Sequence, residues 1–143
     1  MSETEVRELL RRAVADSDAA AMREAVDRLF AQGPDGLSPE AEYAIRHPDY
    51  VMEMPQSGER IRGRDAMRAM QESYPTPPAI TVRRVVGAGP LWVLEGVNDY
   101  AGDVWHMVAV LELDPLGRVV RETRYYGRPF EPEPSRAVLV EQM

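Results

Sequence analysis

The stretch ITVRRVVGAGPLWVLEGVNDYAGDVWHMVAVLELDPLGRVVRETRYY, Ile80 to Tyr126, decides the fold. Its apolar and β-branched runs, Ile80–Val86, Leu91–Tyr100, Val104–Leu113 and Val119–Tyr126, read as four strands. Between them lie Gly87-Ala88-Gly89-Pro90, Ala101-Gly102-Asp103 and Asp114-Pro115-Leu116-Gly117, which are turn chemistry. Connections this short join antiparallel neighbours, because a parallel crossover needs a dozen or more residues. The stretch is therefore a four-stranded meander.

Upstream, the period changes to that of helices. Val6, Leu9, Leu10, Ala13 and Val14 form one stripe, and Met22, Ala25, Val26, Leu29 and Phe30 another. Asp16-Ser17-Asp18 lies between them, so residues 3–32 are one bent helix or two. Ser38 and Pro39 begin a short helix that should stop near His47, ahead of Pro48. Tyr50–Pro55 and Arg60–Arg62 read as a hairpin about Gln56-Ser57-Gly58-Glu59. A helix over Arg64–Ser73 turns Ala66, Met67 and Met70 inward and ends at Tyr74-Pro75-Thr76-Pro77-Pro78. The order is α-α-β-β-α-β-β-β-β in one domain over residues 1–143. Residues 127–143, with Pro129, Pro132 and Pro134, form an extended tail, with a last helical turn over Arg136–Glu141.

Composition narrows the function. A net charge of −7 disfavours nucleic acid and anionic membrane surfaces as partners, since both attract basic faces. There is no cysteine, hence no disulfide framework and no thiolate metal site. The acidic N-terminus lacks the apolar core of a signal peptide, and no apolar run reaches about 20 residues, so the expected setting is cytoplasmic. The two histidines, His47 and His106, make no ligand set with nearby carboxylates, so neither a metal nor another cofactor is expected. Strand Val104–Leu113 is apolar on both faces: Trp105, Met107, Ala109, Leu111 and Leu113 on one, Val104, Val108 and Val110 on the other. One domain's helices cover only one face, so a second copy on the outer face, a homodimer, is the expected cover.

Two segments carry a resemblance to a known family: Met54-Pro55-Gln56-Ser57-Gly58-Glu59-Arg60-Ile61-Arg62-Gly63-Arg64, and Arg121-Glu122-Thr123-Arg124-Tyr125-Tyr126 with Pro129-Phe130-Glu131. With the element order, they resemble the SnoaL-like branch of the nuclear transport factor two-like superfamily. The resemblance implies an α+β cone: a curved antiparallel sheet, helices on its concave face, a deep apolar pocket between them, and often a dimer through the sheet's outer face. It does not imply one activity, because the superfamily holds cyclases, isomerases, dehydratases, epoxide hydrolases and non-catalytic binders.

Register decides which side chains enter the pocket. Aligned on its similarity to limonene epoxide hydrolases, the chain turns Val51, Glu53, Gly96, Asn98, Tyr100, Trp105, Met107, Glu122, Arg124 and Tyr126 inward. A slip of one residue substitutes Met52, Glu95, Asp99, His106, Thr123 and Tyr125. The hydrolase's Asp-Arg-Asp set reads Asn98, Gly96 and Arg124 here, so that mechanism is absent. The resemblance leaves Glu53 opposite Arg124, either as a structural ion pair or as a proton shuttle beside an anion holder. In the second reading Arg124, Asn98 and Tyr100 stabilise an oxyanion. Trp105, Met107, Tyr126, Met67 and Met70 then line a site for a small, largely apolar, even polycyclic molecule that is cyclised, isomerised or dehydrated. A non-catalytic binder would use the same pocket.

Overall fold

The computed structural model describes residues 2–74 and 76–143. Pro75, within the stretch expected to end the last helix, and Met1 lie outside them. The elements are α1 (Glu3–Asp16), α2 (Ala19–Phe30), α3 (Pro39–Ala44), β1 (Arg46–Met54), β2 (Glu59–Arg62), α4 (Arg64–Ser73), β3 (Ala79–Ala88), β4 (Leu91–Tyr100), β5 (Asp103–Leu113) and β6 (Val119–Gly127). The four C-terminal strands fall within two residues of their expected ends at each terminus, because Gly and Pro turns bound them.

The N-terminal region resolves into two helices. Ser2 and Glu5 form a capping box on α1, which stops at Ser17 in the left-handed conformation (φ 52°). The Asp18 carboxylate then accepts the Ala21 N–H and starts α2. Helix α3 is shorter than expected: Arg46, just past it, already pairs with Val119 of β6. The tail is extended and exposed, and its helical turn is a 3-10 turn at Pro134–Arg136, upstream of the expected one.

The six strands form one curved, unclosed sheet in the order β2-β1-β6-β5-β4-β3. All pairs are antiparallel except β1 on β6, which is parallel. The inner face carries Met52, Trp92, Leu94, Met107, Ala109, Leu111 and Leu113, which pack with Val6, Leu9, Met22 and Val26 of α1 and α2 in one core. Trp92 is fully buried, and its indole N–H donates to the Gly89 carbonyl at 2.7 Å. Gly87, at φ +155°, makes this possible, since a Cβ there would stand 2.9 Å from Trp92 Cδ2 and 2.3 Å from the Leu91 oxygen. The turn glycine and the largest core side chain are therefore coupled.

Removing that ring leaves a cavity the rigid turn cannot close. Trp92→Ala is expected to cost about 3–5 kcal/mol, read as a lower urea midpoint at unchanged denaturant slope.

Candidate functional site

The site grows from the seam between β1 and β6. On β6 the inward side chains are Val119, Glu122, Arg124 and Tyr126. On β1 they are Tyr50 and Met52, with Met54 following on the same face. Glu122 sits beside Met52 on one side and Leu111 on the other, so it is walled by apolar neighbours and only 7% exposed. A carboxylate in such surroundings must be paired. Arg124 Nε and Nη2 donate to its two oxygens at 2.7 and 3.2 Å, and the Tyr50 hydroxyl donates to Oε2 at 2.5 Å. Ala109 is the β5 partner of Arg124, and its small side chain leaves room beside the guanidinium.

A second polar cluster flanks Tyr50. The Arg46 guanidinium lies 5.4 Å from the Tyr50 ring centroid. Arg46 Nη2 donates to Glu42 at 3.1 Å and Nη1 to Gln71 at 3.4 Å, while Gln71 Nε2 donates to Glu42 at 2.6 Å. Helices α3 and α4 are thereby tied to β1. Burial pushes the Glu122 carboxyl up, but the Arg124 charge and hydrogen bonds, the Tyr50 hydroxyl and Arg46 outweigh it. The carboxyl is held below the ordinary glutamate range. Burial and the Glu122 charge raise the Tyr50 phenol instead, keeping it a donor.

Above this floor opens a cavity of about 610 Å3. Met52, Met54, Met70, Tyr74 and Trp105 give it apolar walls, and Arg124 and Tyr126 supply hydrogen-bond donors. Arg124 Nη1 lies 3.5 Å from the Tyr126 hydroxyl, so the two groups share one end. Gln56, Ser57, Glu59, Tyr100 and Asp103 complete the lining. Gln56 is fixed there because its Oε1 accepts the Tyr126 backbone N–H.

One expectation is corrected. Glu53 does not face Arg124. It lies on the outer face of the sheet, where Arg60 donates to it at 2.8 Å and Arg121 pairs with its other oxygen. The reason is register: Met52, not Glu53, aligns with the inward Glu122. These outer guanidiniums, led by the Arg60 hydrogen bond, hold the Glu53 carboxyl below its usual range. On β1 the slipped set is the inward one; on β4, β5 and β6 the first set is.

The other expected site residues divide. Tyr100, Trp105, Arg124, Tyr126 and Met70 line the cavity. Asn98, Met67 and Met107 are buried on the inner side but are not among its lining, and Asn98 Oδ1 has no hydrogen-bond partner. His106 is on the exposed outer face. Sequence reading missed Glu122 as the partner of Arg124, although a carboxylate two positions away on one strand face was the available signal. It also missed Asp103 and Glu59, which sit in or beside turns. Among the described residues, no group of three or more His, Asp or Glu side chains is placed to hold a metal ion, and no helix is long and apolar enough to cross a membrane.

Glu122→Gln is expected to cost about 3 kcal/mol near neutral pH, because Arg124, with only 20% of its side chain exposed, is left without its charge partner. A folded-state pKa below the unfolded one stabilises above the unfolded value, about 4.3 for glutamate, and that stabilisation is lost as pH falls through the folded value. The gap between wild type and Glu122→Gln in urea unfolding should therefore narrow below about pH 4. A gap constant down to pH 2 would show that the pair does not titrate with folding.

No family model matches the chain, and no curated protein does. Solved structures do. An NTF-2 like protein of unknown function from Burkholderia xenovorans is 33% identical over 99% of this chain and 97% of its own length, with a TM-score of 0.66. A candidate ketosteroid isomerase from Kribbella flavida is 26% identical over 98% of this chain and 90% of that one, at a TM-score of 0.69. A candidate SnoaL-like polyketide cyclase from Shewanella denitrificans shares the fold at 13% identity, with 87% and 90% covered and a TM-score of 0.56. With a relative one-third identical along nearly its whole length, and an open six-stranded sheet folded about helices and a cavity, this chain belongs to the NTF2-like superfamily.

Proposed function

We propose that this protein is a cofactor-independent isomerase- or cyclase-type enzyme acting on a small, largely apolar, ring-bearing carbonyl compound. The observation that carries the reading is the cavity's one-sided chemistry: methionine and aromatic walls, with the Arg124 and Tyr126 donors at one end. A carbonyl oxygen placed there accepts from both, and the same donors favour the negative charge it acquires on enolisation. Arg124 is pre-aimed, because Glu122 holds its other edge.

The proton acceptor is a lining carboxylate. Among the described residues Asp103 and Glu59 are the two in the lining, and Asp103 stands beside the Trp105 wall. In the proposed step Asp103 takes the proton from the carbon next to the carbonyl. The C–H electron pair moves through the new C=C bond onto the oxygen held by Arg124 and Tyr126. Where the substrate carries a C=C bond between its β and γ carbons, the enolate is conjugated: the C=O re-forms, the C=C bond moves next to it, and Asp103 returns the proton to the γ carbon, so the step is balanced without an added reagent. The isomerase description of the Kribbella flavida protein supports this class of chemistry. A second reading, a non-catalytic binder, is favoured by one observation: both Asp103 and Glu59 are exposed, and Asp103 already accepts from Trp105 and Arg128.

The proposal extends to assembly as a homodimer through the outer face, where Val108 and Tyr125 are exposed beside a depression of about 460 Å3. Five strands spaced about 4.8 Å apart and about 30 Å long present an area on the order of 700 Å2. That is close to the roughly 800 Å2 per partner of a stable interface. Sedimentation at the mass of one chain, at micromolar concentration, would defeat the dimer.

The bicyclic ketone 2-decalone in heavy water tests the chemistry. Deuterium should enter next to the carbonyl faster than in buffer, with a loss of about 100-fold in Asp103→Asn or Arg124→Met. Glu53→Gln, on the outer face, should exchange like the parent. Binding seen by chemical-shift changes without exchange would leave the binder.

A further inference from the structure

We propose that the C-terminal tail covers the cavity mouth, with Arg128 as a positioning residue and Phe130 as the ring that closes over a bound molecule. The inference rests on the cavity being the ligand site. Strand β6 ends at Gly127, and the next side chain returns to the rim. The Arg128 guanidinium lies 4.3 Å from the Trp105 ring centroid, and its Nη2 donates to Asp103 Oδ2 at 3.3 Å. The Trp105 indole N–H donates to the same oxygen at 3.2 Å. Trp105 and Asp103 both line the cavity, so this three-membered clamp ties the root of the tail to its edge.

Phe130 follows two residues later, with its Cα at most about 7 Å from that of Arg128. Pro129, immediately before it, restricts the swing. Phe130 is 84% exposed, although a phenylalanine ring carries a large apolar area that favours burial. The cavity opening carries exposed aromatic surface of its own: Tyr74 and Tyr100 line it and are 56% and 39% exposed. Of the chain's ten aromatic residues, four already line the cavity. A fifth anchored at its edge completes an aromatic cup suited to a flat, ring-bearing molecule. A ligand that fills the cavity supplies an apolar surface for the Phe130 ring to cover. The clamp itself is exposed on both sides, and such contacts hold weakly enough to open for entry and release.

The probe 1-anilinonaphthalene-8-sulfonate tests this, since its fused rings suit the cup and its sulfonate can accept from Arg124. In stopped flow, Phe130→Ala should release it at least fivefold faster than the parent, and Arg128→Gln should do the same. Arg128→Lys, which keeps the charge but not the planar stack, should fall between. Phe130→Ala should not change the melting temperature of the free protein, because the ring is exposed, but should reduce the stabilisation the probe gives. Release rates equal within twofold in Phe130→Ala and the parent would overturn the cover while leaving the cavity reading intact. Probe binding indifferent to Met54→Trp, which fills the cavity, would overturn both.

Discussion

Glu122 is a carboxylate enclosed by apolar neighbours, and most of the site's geometry follows from what must be done about it. An unpaired charge there would cost several kcal/mol, so the fold that forms is one in which Arg124 and Tyr50 both reach it. Arg124 lies on the same strand and comes at no topological cost. Tyr50 lies 72 residues away, and bringing it in requires β1 to run parallel along β6 with Met52 level with Glu122. The pairing thus favours the register of the sheet's one parallel seam. It also aims the guanidinium. With Nε and Nη2 occupied by Glu122, Nη1 is the edge left toward Tyr126 and the cavity. One electrostatic demand therefore sets both the strand register and the direction of the polar end of the site.

This explains which features were legible in the sequence. Strands β3 to β6 were, because their limits are written locally in Gly87, Pro90, Gly102, Pro115 and Gly117, and their inward sets follow from alternation. The register of β1 was legible too, but in its own residues: Tyr50, Met52 and Met54 are the large apolar alternates, and Asp49, Val51 and Glu53 the other set. Alignment by similarity to a related enzyme turned Glu53 inward against that pattern. The outer face completes the register, since Glu53 is drawn to Arg121 of β6 across the seam and to Arg60 of β2 across the hairpin. The rim of the cavity was legible only in its aromatics, Tyr100, Trp105 and Tyr126. Gln56 reaches it through the Tyr126 backbone, 70 residues away, and Asp103 is part of it only because β4 and β5 end beside Trp105. No local period encodes such meetings.

The same electrostatics limit what chemistry the cavity can do. A buried carboxylate with a raised pKa would be a strong base in an apolar pocket, but Glu122, the one buried carboxylate among the described residues, is driven the other way by Arg124 and Tyr50. Glu122 is therefore a holder of donors and not a proton acceptor. In the proposed reaction the acid–base work falls to the rim, where Asp103 and Glu59 meet water. A wet carboxylate is a weak base for a carbon acid, and its competence depends on how far a bound molecule and the groups around it exclude solvent. Trp105 shields one side of Asp103, and Arg128 lies against it from the tail. Turnover as proposed for this site, as opposed to retention of a ligand, would then be governed less by the buried cluster than by how far the mouth is closed to solvent once the cavity is filled.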